Sequence, residues 1–207
     1  MILALALIAA QFRGDYLIHD IEKKVTETGH WRGEAVAFDP GSLVKPFLAA
    51  EWAKAHGSRF PVQDCTPADH CWRPKGHGSL GIEQALAQSC NTNFGKLSPG
   101  PHPPMTASEL IRGFADLVQR TGQPGVPAIL RGMAESARTG TAKALRGGVL
   151  AKTGTAHCPR DPGDGLVVVI FPVVAPRFIV LARVHGTTGA VAANQLAPLI
   201  AELRSGR

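Results

Sequence analysis

Aromatic residues make up only 6% of this 207-residue sequence, and no run of basic side chains is interleaved with them. Nucleic-acid surfaces rely on concentrated positive charge and stacking rings, so that class of partner is not favoured. Lys and Arg exceed Asp and Glu by only 22 to 16, a thin +6 that suits an anionic cell-wall polymer or membrane surface. Long hydrophobic runs are missing as well. The wholly apolar stretch at residues 1–10 is followed by Gln11, Phe12 and Arg13 and is too short for a bilayer, which takes about 20 residues. It matches the apolar part of a secretory signal without the usual charged leader, so residues 1–13 are expected to be a signal or anchor remnant. Such a segment implies an extracytoplasmic, periplasmic location with membrane association through the N-terminus.

Paired C-x-x-C knuckles, internal repeats and low-complexity tracts are absent too. The cysteines are Cys65, Cys71, Cys90 and Cys158. Cys65 and Cys71 bracket a short polar loop and are the candidate disulfide pair in an oxidising compartment. His70 lies between them and His157 precedes Cys158, which leaves a zinc site open as an alternative. The missing knuckle argues against it, so no metal and no cofactor is expected.

What is present reads as one domain over residues 14–207, with 44% hydrophobic residues to build a core. Residues 16–25 and 34–38 are expected as strands joined by a glycine-containing turn. A helix from the Ser42 region to His56 stops at Gly57. Residues 58–81 read as loop, and 82–95 as one helix. Residues 106–120 and 126–138 are further helices, the first capped by Thr106 or Ser108. Strands follow at 148–156, 166–171 and 177–185, dense in Val and Ile, and a last helix covers 188–203 despite Pro198. Strands at both ends with helices between them predict an α+β fold. Its sheet is mainly antiparallel and flanked by helices, with a helical sub-lobe.

The chemistry gathers at three short motifs. In Pro40-Gly41-Ser42-Leu43-Val44-Lys45-Pro46 a loop turns into a helix, placing Ser42 and Lys45 on one side. A serine hydroxyl needs a base to become a nucleophile, and a buried lysine beneath it can be that base. Ser89-Cys90-Asn91 offers a hydroxyl and an amide two residues apart. Lys152-Thr153-Gly154-Thr155 lies on a strand, where alternation puts Lys152 and Gly154 on one face, Thr153 and Thr155 on the other.

Ser-x-x-Lys, Ser-x-Asn and Lys-Thr-Gly each occur once and in that order. The set resembles the active site of penicillin-binding protein transpeptidase domains and serine β-lactamases. Cys71-Trp72 to Asn91, and Gly140-Thr141-Ala142 with Ala151 to Ala156, resemble the same family around the motifs. The resemblance is to a shortened version: the pedestal domain is missing, and only 63 residues separate Ser89 from Lys152. It implies Ser42 as acylated nucleophile, Lys45 as base, Ser89 and Asn91 as proton relay and substrate anchor, and Lys152 as a lasting positive charge. Thr153, Gly154 and Thr155 would bind substrate. The implied partners are peptidoglycan stem peptides, β-lactams and other cell-wall proteins, and the implied reaction is D,D-transpeptidation or carboxypeptidation, with a β-lactamase-like hydrolase or a non-catalytic β-lactam- or peptidoglycan-binding sensor or scaffold as the alternatives. In class A β-lactamases a Glu followed four residues on by Asn activates water. Here Glu109 is followed by Gly113 and Glu135 by Thr139.

Overall fold

The computed structural model describes residues 12–31, 33–98, 100–158 and 163–205. Most of the expected signal or anchor segment lies outside them. Phe12, at its end, is buried with its ring 6.1 Å from that of Tyr16. No described helix is long and apolar enough to cross a membrane.

Strands β1 (Asp15–Asp20) and β2 (Val25–Gly29) form a hairpin. The expected single strand over 16–25 is therefore broken. Asp20 turns the chain by accepting the Glu22 and Lys23 backbone N–H groups on one carboxylate oxygen. Residues 34–38 form no strand; Phe38 makes only an isolated bridge to Met105. Helix α1 (Lys45–His56) ends at Gly57, as expected. The segment read as loop contains a small two-stranded sheet, β3 (Gln63–Cys65) with β4 (Gly78–Leu80). The next helix is two, α2 (Ile82–Ala87) and α3 (Asn91–Leu97).

Helix α4 (Ala107–Gln119) opens on a capping box in which Thr106 and Glu109 satisfy each other's backbone N–H groups. Helix α5 (Val126–Arg138) follows. Strands β5 (Leu150–Ala156), β6 (Asp164–Phe171) and β7 (Phe178–His185) come next, then helix α6 (Gly189–Ser205) with Pro198 inside it.

The main sheet is antiparallel with order β2-β1-β7-β6-β5, so β5 lies at its edge among the described residues. Strand β6 is buried along its whole length, because helices cover both faces of the sheet. On one face Leu166, Val168 and Ile170 pack with Leu43, Phe114 and Ile129 of the helical lobe. On the other, Val167, Val169 and Phe171 pack with Ala192, Leu196 and Ile200 of α6. The period-2 alternation of β6 thus feeds two cores, and the site lies where the helical lobe meets β5.

Candidate active site

Ser42 sits in a 3-10 turn, Gly41–Val44, that runs directly into α1. Side chains three apart fall on one side of such a turn, and Ser42 and Lys45 both line the same cavity. The turn is pinned from two sides. Gly41 has φ +50°, and a Cβ there would lie 2.4 Å from the Thr155 carbonyl oxygen, so only glycine fits. Asp39 accepts the Gly41 N–H at 2.8 Å and the His157 N–H at 2.9 Å, tying the Ser42 turn to the end of β5. Asp39 lies outside the three sequence motifs.

Lys45 points away from solvent, 6% exposed. Its Nζ donates to the Ser89 carbonyl and to Asn91 Oδ1, both at 2.7 Å, and lies 3.4 Å from Ser89 Oγ. The Phe94 ring completes the cage, its centroid 5.5 Å from Nζ. Lys152 is fully enclosed and reaches the same serine from the other side, donating to Ser89 Oγ and to the Thr153 carbonyl at 2.8 Å each. Ser89 can serve both lysines because it interrupts the helix, with φ +52° between α2 and α3. A non-glycine residue there costs roughly 1 kcal/mol or more, which the surrounding bonds must hold in place.

The acceptors named for the two amines are all neutral. Burial therefore pushes the Lys45 ammonium down to about 8, against the opposing pull of the Cys90 and Cys71 thiols. Lys152 is pushed well below the usual lysine value, chiefly by burial and also by the charge of Lys45. Lys152 does not line the cavity but lies enclosed behind Ser89.

Strand β5 places the remaining motif as alternation predicts. Gly154 faces the Ser42 turn, where a Cβ would come 3.1 Å from the Pro40 carbonyl oxygen and 3.2 Å from Leu43 Cγ. Thr153 donates to Thr141 Oγ1 at 2.6 Å, and Thr155 Oγ1 accepts the Gly189 N–H at 3.2 Å. Ser42, Lys45, Ser89, Asn91, Thr153 and Thr155 all line one open cavity of about 810 Å³.

No disulfide joins Cys65 to Cys71. Both sulfurs instead face His77 Nδ1, at 3.4 and 3.6 Å, beside the buried Cys90. Burial pushes the Cys71 thiol up, but the Thr92, Asn91 and Arg73 backbone N–H groups outweigh it and bring it to about 7. With no such bridge, the cysteines lend no support to an oxidising compartment. The residue that draws this cluster together, His77, was not among the histidines singled out from the sequence. Trp72 was likewise given no role, although its Nε1 donates to the Ser89 carbonyl at 3.1 Å.

No protein-family model matches the sequence, and neither does any curated protein. Solved structures do match. Penicillin-binding protein PBP2 of Pseudomonas aeruginosa, in complex with WCK 5153, aligns with TM-score 0.75 and 15% identity over 98% of this chain and 72% of that one. The TP domain of Burkholderia pseudomallei penicillin-binding protein 3 gives 0.72 and 14%, over 99% and 92%. A β-lactamase from Chitinophaga pinensis gives 0.65 and 16%, over 99% and 98%. The fold of this chain is the one shared by penicillin-binding protein transpeptidase domains and β-lactamases.

Proposed function

We propose that the chain is a penicillin-binding serine acyltransferase that acts on D-Ala-D-Ala stem peptides of peptidoglycan through an acyl-enzyme on Ser42. It would work outside the cytoplasm as a D,D-transpeptidase or carboxypeptidase. The observation that carries this reading is the Lys45 amine, three residues on from Ser42 and lining the same cavity, buried with neutral hydrogen-bond acceptors and lowered to about 8. A lysine so placed is neutral often enough to take a proton.

In the proposed step Ser42 Oγ attacks the penultimate carbonyl and passes its proton to neutral Lys45 Nζ. The oxyanion is held by the backbone N–H groups of Ser42 and Thr155, the interaction usually worth most to acyl transfer. The C–N bond then breaks, and the leaving amine takes a proton through Ser89. An acceptor amine or water later attacks the ester and regenerates Ser42. Thr153 and Thr155 grip the terminal carboxylate, while the edge strand β5 pairs with the extended peptide.

Rapid deacylation by water needs a base, and the carboxylate in the cavity lining, Asp39, already accepts two backbone N–H groups. Glu109 and Glu135 lie outside that lining, the first closing the cap of α4 and the second bonding Arg138 and Thr139. A β-lactam adduct should therefore persist rather than turn over. Intact-mass spectrometry after benzylpenicillin should show one stable adduct on the wild type and none on Ser42→Ala. An adduct elsewhere, or none at all, would refute the assignment.

A further inference from the structure

The end of the sheet away from the cavity carries an apolar tip that the acyl-transfer chemistry does not use. Pro172-Val173-Val174-Ala175-Pro176 joins β6 to β7 there, closed by the Arg177 N–H on the Phe171 carbonyl at 3.2 Å. Hairpin turns ordinarily take Gly, Asn or Asp, which tolerate left-handed backbone and face water. This turn has none of them, and Ala175 adopts φ +53° without a glycine's freedom. Val174 is 84% exposed and Val173 40%. Val25, 52% exposed, stands at the neighbouring tip, since it pairs with Asp20 and Asp20 pairs with Phe178. A single exposed valine is ordinary, but these three gather at one end of the sheet.

The same end is ringed with cations. Lys23 and Lys24 occupy the β1–β2 turn, held beside the valine tip by the Ile21 N–H on the Arg177 carbonyl at 2.8 Å. Lys143 and Arg146 lie in the turn that leads into β5, whose first residue, Leu150, pairs with Ile170. Arg204, from the last turn of α6, packs on Gly148 and donates to the Gly147 carbonyl at 3.1 Å. All of these cations are exposed, and none is in an ion pair among the described residues. The carboxylates at this end offset them only in part. Asp20 and Glu22 are both bonded to Arg177, which leaves Glu202 on α6.

We propose that this end of the domain docks on an anionic phospholipid bilayer, its valines entering the interface and its cations resting on the headgroup phosphates. Charge alone would serve a soluble polyanion equally well. The apolar tip decides between them, because a polyanion offers no place to bury Val174, whereas the boundary between headgroups and acyl chains does. Each cation at such a surface strengthens binding roughly fivefold. Pro172 and Pro176 restrict the backbone of the tip, so little conformational freedom is lost on docking. Helix α6 runs 17 residues, from Gly189 in the cavity lining to this end. That length, about 25 Å, would separate the cavity from the bilayer. Docking itself does not depend on the acyltransferase reading; only the use made of that separation does.

The test sediments the whole chain with vesicles of phosphatidylglycerol and, separately, of phosphatidylcholine. Binding should be at least about tenfold tighter to phosphatidylglycerol and should weaken as salt rises. Lys23→Glu combined with Lys24→Glu should weaken it at least about tenfold. Val174→Asp should weaken it at least about fivefold. Tm should not change in either variant, because these side chains are exposed. Val174→Trp bound to vesicles with brominated acyl chains should be quenched beyond the wild type, whose tryptophans are Trp31, Trp52 and Trp72. No binding, or equal binding to both lipids, overturns the docking. So does binding that the Lys23/Lys24 and Val174→Asp variants retain in full, which would come from another part of the chain. Equal affinity for soluble polyphosphate replaces the bilayer with a polyanion, and an unquenched Val174→Trp overturns insertion of the tip. Penicillin labelling should be the same in every variant, since none of these residues lines the cavity. Its absence throughout, wild type included, would overturn the Ser42 reading and leave the docking result standing.

Discussion

Replacing Gly154 with alanine separates the packing of the site from its chemistry. A Cβ at 154 would lie 3.1 Å from the Pro40 carbonyl oxygen, 3.2 Å from Leu43 Cγ and 3.3 Å from the Leu43 nitrogen. Each contact is slightly too close, so the nucleophile turn must retreat by a few tenths of an ångström. Overpacking of this kind costs about 1–3 kcal/mol. In a chain of this size each kcal/mol lowers Tm by roughly 2–4 °C. The same shift moves Ser42 relative to the bound carbonyl, and a displacement of about 1 Å can cost ~100-fold in rate. A shift of about a third of that should slow acylation roughly fivefold, if the free-energy loss scales with displacement. Thermal unfolding and the second-order rate of fluorescent-penicillin labelling measure the two effects on one preparation. Gly41→Ala makes a graded comparison, since its Cβ would meet the Thr155 carbonyl at 2.4 Å with φ at +50°. It should lose more on both scales. A Gly154→Ala protein with unchanged Tm and labelling rate would refute this account of how β5 seats the turn.

Other outcomes follow from single groups. Acylation should rise with pH and level off above about 8, where Lys45 becomes neutral; a rate still climbing tenfold per unit beyond pH 9 would mean a lysine at its ordinary value. Since the folded value lies below the ordinary 10.5, the unfolded chain binds more protons between the two, so the Lys45 contribution to stability also rises with pH there. Lys45→Arg should nearly abolish labelling, because a guanidinium does not deprotonate, and full activity in that variant would remove Lys45 as base. Lys152→Arg keeps a charge but must fit a wholly enclosed site, so it should lower Tm as well as activity. Thr106→Ala, far from the chemistry, should cost about 1 kcal/mol of stability through its lost cap and leave labelling unchanged.

The regular elements were legible where one physical signal dominated. Val- and Ile-rich runs marked β6 and β7, and apolar spacing with a Thr-Glu cap marked α4. The three motifs contain Ser42, Lys45, Ser89, Asn91, Thr153, Gly154 and Thr155, which line the cavity, and Lys152, which is enclosed behind it. What escaped was set by contacts between distant parts of the chain. Nothing local in residues 82–95 announces that Ser89 takes φ +52° and splits the helix; the two lysines that hold it come from 44 and 63 residues away. His77 could not be paired with Cys65, Cys71 and Cys90 by spacing, because the small sheet of β3 and β4 is what folds them together. The same fold leaves Cys65 and Cys71 facing an imidazole instead of each other.

The pairing of β1 with β7 bears on how the protein comes into being. Asp15 and Arg183, joined at 2.6 Å across that ladder, are 168 residues apart. Such a contact closes late, because the loop entropy must be met before the pairing rewards it. During synthesis β1 and β2 emerge as a hairpin whose second partner does not exist until most of the chain has been made. That exposed edge is a hazard for aggregation while the chain waits. The centre of the sheet is thus completed last, so on the proposed chemistry penicillin labelling would count only chains that have finished folding.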